Sequence, residues 1–325
     1  MRNKVRTLIN RSNRSEIEWR SCELCSGDDF RKIFNFRIPG RRQYVSVCRN
    51  CGFVCLDPRW TPERYQTYYR TEYYEDVFHK VPERSRSELV ALAEKNGRAK
   101  AIFADLIEAV SPDARILEIG CGSGETLIYL SNNGFPHVSG IEADPIHAAN
   151  LETCGISCFS GAFEDGIRTV GAEKDFDVVI LSHVLEHFTR PVETLTRIRE
   201  RLSSRGRIYV RVPDLFSEVE NPYGQFYLPH VLYFSDRTLE RLLIKAGFSS
   251  GPDFVRRYPE TKELVAFVPK SASISEALAF TDHKEFHRVT EFLNSATKRW
   301  SALGNCFIDV VLRGTARILS RSLRN

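Results

Sequence analysis

The sequence predicts an α/β protein built on a doubly wound sheet, and three observations support this prediction. A short, mostly apolar segment, Ile116 to Ile119, runs into a glycine-rich turn and then into a helix-like segment, Glu125 to Asn132. Further along, apolar strand-like segments alternate regularly with helix-like ones, which is typical of βαβ units. One of them, Phe176 to Ser182, is apolar almost throughout, as a central parallel strand covered on both faces should be.

Length, charge and composition limit the classes of function. The chain has 325 residues, 42% of them hydrophobic and 27% charged, and a net charge of only +4, so nothing demands a nucleic-acid partner. No apolar run approaches the roughly 18–20 residues that span a bilayer. The basic amino terminus lacks the apolar stretch of a secretory signal. Nine cysteines then fit a reducing compartment, and we predict a cytoplasmic protein.

Four cysteines near the amino terminus have the spacing of a metal site. Cys22 and Cys25 form one Cys-x2-Cys pair, Cys48 and Cys51 form another, and 22 residues separate the two pairs. Four thiolates with no spare position are typical of a closed, structural zinc site. Coincidental core cysteines or a redox pair are the alternatives. The residues between the pairs alternate enough to supply the strands of a small ribbon.

The segment after the ribbon is rich in tyrosine. Tyr65, Tyr68 and Tyr69 would share one face of a helix. They form either a packing surface or, with one or two hydroxyls, part of a substrate cleft. The apolar residues of Ser87 to Val110 recur with helical periodicity, so we predict a lead-in helix or helices before the sheet.

The remaining elements follow the glycine-rich turn in order. The alternation of apolar strands and amphipathic helices assigns each segment, and Gly247 is well placed as a helix stop. We predict strands over Val138–Ile141, Ile156–Ser160, Phe176–Ser182, Ile208–Val212, Phe254–Arg257 and Glu263–Val268, and helices over Pro145–Cys154, Pro191–Leu202 and Leu239–Phe248.

The last part of the chain carries a basic helical pattern. Arg313, Arg317 and Arg321 recur every four residues, opposite an apolar face. Such a helix can lie on an anionic membrane surface or on a partner. A helix packed on its own protein with a solvated basic face is the alternative.

The glycine-rich turn indicates what kind of ligand the sheet binds. Gly120, Gly122 and Gly124 allow the backbone to pass closely under a ligand. The flanking acids Glu118 and Glu125 would repel a pyrophosphate but suit a cation. The turn therefore does not favour a dinucleotide.

A further acid completes this interpretation. Glu142 closes the next strand, 18 residues past Gly124, where a carboxylate can accept both hydroxyls of a ribose. A glycine turn, a ribose acid and a preference for cations together predict S-adenosylmethionine, which has a ribose, an ammonium and a sulfonium.

On these residues the chain resembles the class I S-adenosylmethionine-dependent methyltransferases over about residues 101–269. The segments that carry the resemblance are ILEIGCGSG, GIEADP, FDVVILSHVLEHFTRP and GRIYVRVPD. It implies a Rossmann-like, seven-stranded methyltransferase sheet. It also implies a set of cofactor-binding residues: Glu118, Gly120, Gly122 and Gly124 for the methionine end, Glu142 for the ribose, Phe163 with Glu164 or Asp165 beside the adenine, and Ser182 with His183 under the sulfur.

The cysteine ribbon narrows the resemblance to the zinc-containing sugar C-methyltransferases. Those enzymes carry a Tyr-x-x-His element before a helix, and Tyr227 and His230 match it here. The His-Glu that the family places between these two residues is Leu228 and Pro229 in this chain. The acid that would tune the base is therefore missing from this element, so C-methylation in particular is left open.

Methyl transfer needs a base for the acceptor, and histidine suits that task near neutral pH. His183, His187 and His230 are the candidates. We predict His230 as the base, with Tyr227 holding the developing oxyanion. A loop histidine bonded to the backbone is the alternative for His230, and Asp214 is a weaker candidate base.

The segment HVLEH also resembles part of a metal site. His183, Glu186 and His187 are close along the chain, but nothing supplies a further ligand at helical spacing. We therefore predict a structural, hydrogen-bonding role for His187 and no second metal.

The sequence as a whole predicts an S-adenosylmethionine-dependent methyltransferase that acts on a small molecule, a sugar or glycan precursor, by C- or O-methylation. Two alternatives stay open: an RNA methyltransferase that grips phosphates with its ribbon and basic tails, and a non-catalytic cofactor-binding scaffold at a membrane surface. Membrane contact would be peripheral, at the inner face, through the carboxy-terminal helix. The acceptor's identity and the oligomeric state are not written in the sequence.

These observations divide the chain into five regions. We predict a basic mobile tail over residues 1–18, a zinc ribbon over 19–60, and an aromatic linker with lead-in helices over 61–110. The S-adenosylmethionine-binding methyltransferase domain follows over 111–270, and a helical basic tail over 271–325.

Overall fold

The structure is a computed structural model that describes residues 16–38, 41–73, 82–170, 175–217, 226–249, 251, 254–271 and 280–302. The basic repeat at Arg313, Arg317 and Arg321 lies outside these residues, as does most of the predicted amino-terminal tail. Among the helices of the described residues, none combines the length and the apolar character that crossing a membrane requires.

In the part of the chain that the structure describes, two small antiparallel sheets form the amino-terminal unit, and the sequence between the cysteine pairs suggests such strands. The strands of this unit are β1 (Ile17–Glu18), β2 (Phe30–Ile38), β3 (Arg41–Cys48), β4 (Val54–Leu56) and β5 (Arg59–Trp60). β2, β3 and β4 pair in that order, and β1 pairs separately with β5.

Among the described residues, three helices lead from this unit to the main sheet: α1 (Pro62–Thr71), α2 (Arg86–Lys95) and α3 (Gly97–Ile107). Tyr65 and Tyr68 are buried on one face of α1. The lead-in segment is two helices because the Asn96 side chain accepts the backbone N–H of Ala99 at 2.9 Å and caps α3.

Within the described part of the chain the main sheet has seven strands, so the predicted α/β class is confirmed. Its first part is β6 (Ile116–Ile119), α4 (Glu125–Asn132), β7 (Val138–Glu142), α5 (Pro145–Thr153), β8 (Ser157–Ser160), α6 (Phe163–Thr169), β9 (Phe176–Ser182), α7 (Pro191–Glu200) and β10 (Leu202–Pro213). The elements that follow along the chain are β11 (Leu232–Tyr233), which lies outside this sheet, α8 (Asp236–Lys245), β12 (Arg256–Tyr258), β13 (Glu263–Pro269) and α9 (His283–Ala302).

The strand order creates one crevice. Across the sheet the order is β12-β13-β10-β9-β6-β7-β8, with β6 to β10 parallel and β12 and β13 antiparallel to their neighbours. The chain moves outward from β6 to β8 and then returns to β9 on the other side of β6. This reversal opens a crevice at the carboxyl ends of β6 and β9, where open α/β sheets bind ligands.

β10 begins earlier than the sequence predicts. Leu202 already pairs with Phe176, and the register shifts before Arg207 pairs with Val178. The intervening residues form an irregularity that includes Gly206, and the sequence pattern showed only the regular strand beyond it.

The ribbon and the main sheet share one core. β11 extends the ribbon sheet by pairing with β4, and the Leu56 N–H donates to the carbonyl of Val231 at 2.9 Å. α9 packs against β2 and β3. Buried side chains continue from the cysteine cluster into the main sheet. The ribbon therefore positions the segment before β11, which carries Tyr227 and His230.

Candidate active site

The glycine turn after β6 is tight and has an open side. Gly120, Gly122 and Gly124 have φ angles of 65°, 54° and 78°, a region that glycine adopts without steric cost. A Cβ on Gly124 would lie 2.2 Å from a methyl group of Leu151, so α4 begins in close contact with α5. A Cβ on Gly122 would meet none of the described residues within 4 Å. This part of the turn therefore faces open space.

Glu142 ties the glycine turn to the end of β7. One carboxylate oxygen accepts the backbone N–H of Gly122 at 2.8 Å, and the other accepts that of Asp144 at 2.9 Å. Glu142 is therefore oriented by the backbone at the carboxyl end of β7, and its contact with a ribose stays a prediction.

Glu118 is a buried acid inside β6. Its side chain is almost fully shielded, and its Oε2 atom has no hydrogen-bond partner among the described residues. Burial raises the pKa of Glu118 to about 8, against a hydrogen bond with Thr126 that lowers it. Since a nearby positive charge favours the ionised form of a carboxyl group, this residue suits a cationic ligand.

Ser182 faces the glycine turn across the crevice. Ile119 of β6 pairs with Leu181 of β9, so Gly120 and Ser182 both follow directly at the strand ends. The Ser182 Oγ is buried and forms no hydrogen bond within the described part of the chain. Glu118 Oε2 and Ser182 Oγ are thus two buried polar atoms at this edge of the sheet that have no hydrogen-bond partner among the described residues. The donor set of the crevice fits S-adenosylmethionine, which brings an ammonium and hydroxyls.

The residues predicted beside the adenine lie at the start of α6. The buried Phe163 ring packs edge-on against Phe188 with centroids 5.3 Å apart. Glu164 accepts a hydrogen bond from Gln66 at 3.4 Å, whereas Asp165 is exposed and pairs with an arginine three residues on. Phe163 gives this end of the crevice an apolar side, and the adenine contact itself stays a prediction.

His183 is held between two carboxylates. Its φ angle is 56°, a conformation that costs a residue other than glycine roughly 1–3 kcal/mol. Nε2 lies 2.5 Å from Glu263 Oε1, and Nδ1 lies 3.5 Å from Glu186 Oε1. Burial would lower the pKa of His183, but these two neighbouring carboxylates outweigh burial and raise it. Both ring nitrogens face carboxylates, so His183 is suited to positioning this corner of the site.

Glu263 connects His183 to two arginines. Its Oε2 accepts from Arg211 Nε at 2.8 Å, and its Oε1 accepts from Arg98 Nη2 at 3.2 Å. Burial would raise the pKa of Glu263, but His183 and Arg211 hold it well below its usual range. A charged network therefore braces the ends of β9, β10 and β13.

Glu186, His187 and His230 meet next to this network. One carboxylate oxygen of Glu186 and one ring nitrogen of each histidine lie within 4.8 Å of one another, although His230 comes 43 residues after His187. His230 Nε2 lies 3.9 Å from Glu186 Oε1, and the two imidazole rings lie 5.0 Å apart, edge to face. The Tyr-x-x-His element has no acid of its own in the sequence, but the fold places the Glu186 carboxylate beside His230.

The Glu186 carboxylate is ionised in this setting. Burial by itself would raise the pKa of Glu186, but the surrounding imidazoles of His183, His187 and His230 lower it to about 2. A negative charge at this position favours a proton or a cation on the neighbouring rings.

The tyrosine face of α1 holds the loop before β11. The Tyr65 hydroxyl donates to the carbonyl of Leu228 at 3.1 Å, and the Tyr69 hydroxyl donates to that of Pro229 at 3.2 Å. His187 Nδ1 lies 2.9 Å from the same Pro229 carbonyl and 2.8 Å from the Tyr69 hydroxyl. The tyrosines therefore pack the helix and also fix a backbone loop with their hydroxyls.

Tyr227 lies directly against His230. The ring centroids are 4.3 Å apart, and the backbone N–H of His230 donates to the backbone carbonyl of Tyr227 at 3.1 Å. Burial raises the pKa of Tyr227, so its hydroxyl keeps its proton and can donate a hydrogen bond. Asp214, the other candidate base, forms an ion pair with Arg257 at 3.0 Å.

The four ribbon cysteines form a separate cluster. Sγ of Cys22 lies 3.5 Å from that of Cys51, and Sγ of Cys25 lies 3.4 Å from that of Cys48. All four sulfur atoms are within 4.8 Å of one another. A tetrahedral zinc ion with Zn–S bonds of about 2.3 Å would place them about 3.8 Å apart. Donor type, number and spacing thus fit zinc.

The sequence pattern predicts two members of the charged network, Glu263 and Arg211, only as strand residues. Arg211 is only 3% exposed and stands in the apolar run RIYVRVP. A charged residue inside such a run is rarely buried without a partner, and that signal could have identified it.

A comparison with protein families matches residues 75–250 to a family described as "Methyltransferase domain". The match spans more than half of the 325-residue chain. It includes the glycine turn, the crevice and the Tyr227–His230 element, and the cysteine cluster lies before it. A comparison with curated proteins finds no match.

Several solved structures of methyltransferases are similar to this chain at low sequence identity. A Burkholderia thailandensis 1,6-didemethyltoxoflavin-N1-methyltransferase is 17% identical, with a TM-score of 0.48 over 73% of this chain and 99% of its own. Magnesium protoporphyrin IX methyltransferase from Synechocystis PCC 6803 is 12% identical, with a TM-score of 0.46 over 65% and 100%. An S-adenosylmethionine-dependent methyltransferase from Mesorhizobium loti is 15% identical, with a TM-score of 0.43 over 55% and 100%.

Proposed function

This chain belongs to the methyltransferase domain family, and we propose that it methylates a small molecule, a sugar or glycan precursor, with S-adenosylmethionine as the donor. The observation that carries the donor assignment is the buried Glu118 carboxyl, whose Oε2 has no hydrogen-bond partner among the described residues. It lies beside the open glycine turn and Glu142. An acid in this position offers a partner to a cationic donor.

The chain's own residues would contribute orientation and proton transfer. When bound, S-adenosylmethionine supplies an activated methyl group on a sulfonium, so alignment accounts for much of the rate, up to about 7–11 kcal/mol in well-oriented reactions. Glu142 would hold the ribose hydroxyls, and Glu118 with the glycine turn would hold the methionine end. These residues fix one side of the reaction.

On the other side, His230 would remove the acceptor's proton. Its ring touches Tyr227, whose protonated hydroxyl can donate to the developing oxyanion. Glu186 lies 3.9 Å from His230 Nε2, and its negative charge would stabilise the imidazolium that forms. The same arrangement can serve a hydroxyl group or a carbon next to a carbonyl, so it supports O- or C-methylation.

A sugar-like acceptor is supported by the chemistry of this corner. Tyr227, His187 and His230 present rings with polar atoms, and the Tyr69 hydroxyl lies among them. Such side chains combine apolar faces with hydrogen-bonding tips. They suit an acceptor that has ring faces and hydroxyl groups.

The direct test is to find the acceptor. The protein would be incubated with methyl-labelled S-adenosylmethionine and fractionated cell extract, and label incorporation would be followed by mass spectrometry. We expect label in a fraction of sugars, nucleotide-linked sugars or glycan precursors. Label in RNA, or in no fraction although the donor binds, would contradict the proposed acceptor class.

We propose that the cysteine cluster binds a structural zinc ion. Four thiols at zinc-like spacing leave no open coordination position, so the ion would hold the ribbon together and take no part in the chemistry. Because β11 pairs with β4, the zinc would indirectly position the loop with Tyr227 and His230.

Donor binding is expected to strengthen as pH rises from 6.0 to 7.5. The free protein keeps Glu118 largely protonated below its pKa of about 8, and an ammonium ligand requires the carboxylate. Binding should therefore release a proton, and the Kd should fall by up to about tenfold per pH unit in this window. Isothermal titration calorimetry in buffers of different ionisation enthalpy measures both quantities.

The Glu118→Gln variant is the control for this prediction. It should bind the donor more weakly and with little dependence on pH, because the titrating group is gone. A wild-type Kd that stays constant between pH 6.0 and 7.5 would show that Glu118 does not bind the donor's ammonium group.

A further inference from the structure

Glu186, His187 and His230 form a second cluster of possible metal ligands, separate from the four cysteines. We infer that these three residues bind one divalent transition-metal ion of the zinc class, and that the bound ion blocks His230 as a base. This inference rests on the proposed function only for its inhibitory consequence. Metal binding at the cluster can be measured without any methyl transfer.

The donor atoms are already close to a common centre. They lie within 4.8 Å of one another, and His230 Nε2 is 3.9 Å from Glu186 Oε1. Bonds of about 2.0–2.2 Å around a tetrahedral ion would place neighbouring nitrogen and oxygen ligands about 3.4 Å apart. The side chains need to approach one another by no more than about 1.5 Å, which torsion changes alone can supply. Two imidazoles and one carboxylate are also ligands that zinc accepts.

Glu186 itself is a buried carboxylate in need of a partner. It is 1% exposed, and within the described residues neither of its side-chain oxygens has a hydrogen bond. The nearest cationic groups are ring nitrogens of His183 and His230, 3.5 and 3.9 Å from Oε1. Burying a carboxylate that has only these longer contacts and no hydrogen bond is costly. A cation shared with the two histidines would remove that cost.

His187 is oriented as metal-binding histidines are. Its Nδ1 lies 2.9 Å from the Pro229 carbonyl, and in the tautomer with the proton on Nδ1 it donates to that carbonyl. The Nε2 lone pair is then left for a ligand. A backbone carbonyl on the other ring nitrogen is the usual outer contact that fixes the tautomer of a metal-binding histidine. The tyrosine helix adds to this, because Tyr69 bonds to the same carbonyl.

Sequence spacing could not reveal this site. Glu186 and His187 are adjacent, but the third ligand comes from the loop before β11, which the ribbon and the tyrosines hold in place. The backbone joins the two segments directly, since the Val231 N–H donates to the Glu186 carbonyl at 2.8 Å. The site is thus built into the fold and does not depend on a mobile side chain meeting a distant one.

A bound ion and an acceptor proton would compete for His230. The ion uses the imidazole lone pair that would otherwise accept the proton, so both cannot be bound at once. With three protein ligands the ion also keeps an open position, which the acceptor's oxygen or water can occupy. We therefore expect divalent zinc to inhibit turnover when it fills this cluster.

Metal stoichiometry tests the inference. Wild-type protein would be dialysed against Zn²⁺, and bound metal would be measured by elemental analysis, with no donor or acceptor present. We expect two equivalents per chain, one in the cysteines and one in the cluster. The His187→Ala variant should retain one equivalent. The matched control His137→Ala, which changes an exposed histidine elsewhere, should retain two.

A second variant protects the test against misfolding. Glu186→Gln keeps the size of the side chain and should bind the second equivalent at least tenfold more weakly. Cobalt replacement should give visible bands of nitrogen–oxygen coordination that disappear in His187→Ala, while the thiolate–cobalt bands remain. One equivalent in the wild type, or two in a folded His187→Ala protein, would overturn the inference.

The two proposals fail separately. A protein that binds the second zinc but transfers no methyl group to any fraction would count against the proposed function alone. A protein that methylates its acceptor but binds only one zinc would count against the cluster alone.

Discussion

Replacing Cys51 with serine is expected to remove one zinc ion and to unfold the ribbon. Cys51 is fully buried among the other three thiols. Structural zinc contributes about 10–16 kcal/mol in small zinc-dependent folds, which is as large as the whole stability of a typical domain, about 5–15 kcal/mol. Even partial loss should lower the melting temperature by about 10 °C or more, because each kcal/mol shifts it by about 2–4 °C in domains of this size. Differential scanning calorimetry and elemental analysis measure the two effects.

The same substitution should reduce methyl transfer while donor binding survives. β4 of the ribbon pairs with β11, and the Lys245 ammonium at the end of α8 donates to the carbonyls of Glu23 and Leu24 at 2.9 Å. Loss of the ribbon would therefore release the loop that carries His230. The glycine turn lies on β6, away from these contacts, so the Kd of the donor should change little.

Cys154→Ser is the matched control for the zinc prediction. Cys154 is a half-buried free thiol at the end of α5, outside the cluster. Its substitution should leave both zinc content and the ribbon's unfolding unchanged. A Cys51→Ser protein with full zinc content and an unchanged melting temperature would show that the four thiols are only packing residues.

Replacing His230 with alanine is expected to lower kcat by about 10²–10⁴, the usual contribution of a positioned general base. Donor affinity should stay the same, because Glu118 and Glu142 lie on β6 and β7. The comparison needs metal-free conditions at the Glu186 cluster, so that only proton transfer changes. Single-turnover rates with labelled donor and the identified acceptor measure the effect.

The Tyr227→Phe variant distinguishes the contribution of the Tyr227 hydroxyl from that of the His230 base. This variant keeps the ring packed on His230 and removes only the hydroxyl, so it should reduce kcat by the smaller factor expected of one oxyanion donor, about 10²–10³ or less. Full turnover by His230→Ala would move the role of base to another group, and Asp214 would be examined next.

Local sequence patterns were sufficient to predict the main strands and turns of this protein. The seven strands, the glycine turn and the two cysteine pairs each depend on residues within about one element of one another. Apolar alternation and residue spacing record such short-range structure directly. β6, α4 and β9 accordingly match the predicted segments, and Glu118 and Glu142 lie at or near the ends of strands where a ligand was expected.

Where local signals were interrupted, the prediction was less complete. Asn96 divides the lead-in segment because a side-chain cap competes with helix continuation. β10 starts early because Leu202 pairs with Phe176 ahead of an irregularity. Each feature depends on one specific contact, and hydrophobic periodicity over a whole segment does not reveal such a contact.

The sequence by itself determined the α/β sheet, the glycine turn and the ribbon with its two cysteine pairs, because each of these is encoded by neighbouring residues. Only the tertiary structure decided that Glu186 and His187 meet His230, that Glu263 and Arg211 brace His183, and that tyrosine hydroxyls fix the loop between them. Those contacts join segments about 40 to 160 residues apart, and spacing along the chain carries no record of them. The physical reason is that strand order, set by burial of the whole sheet, brings those segments to one edge.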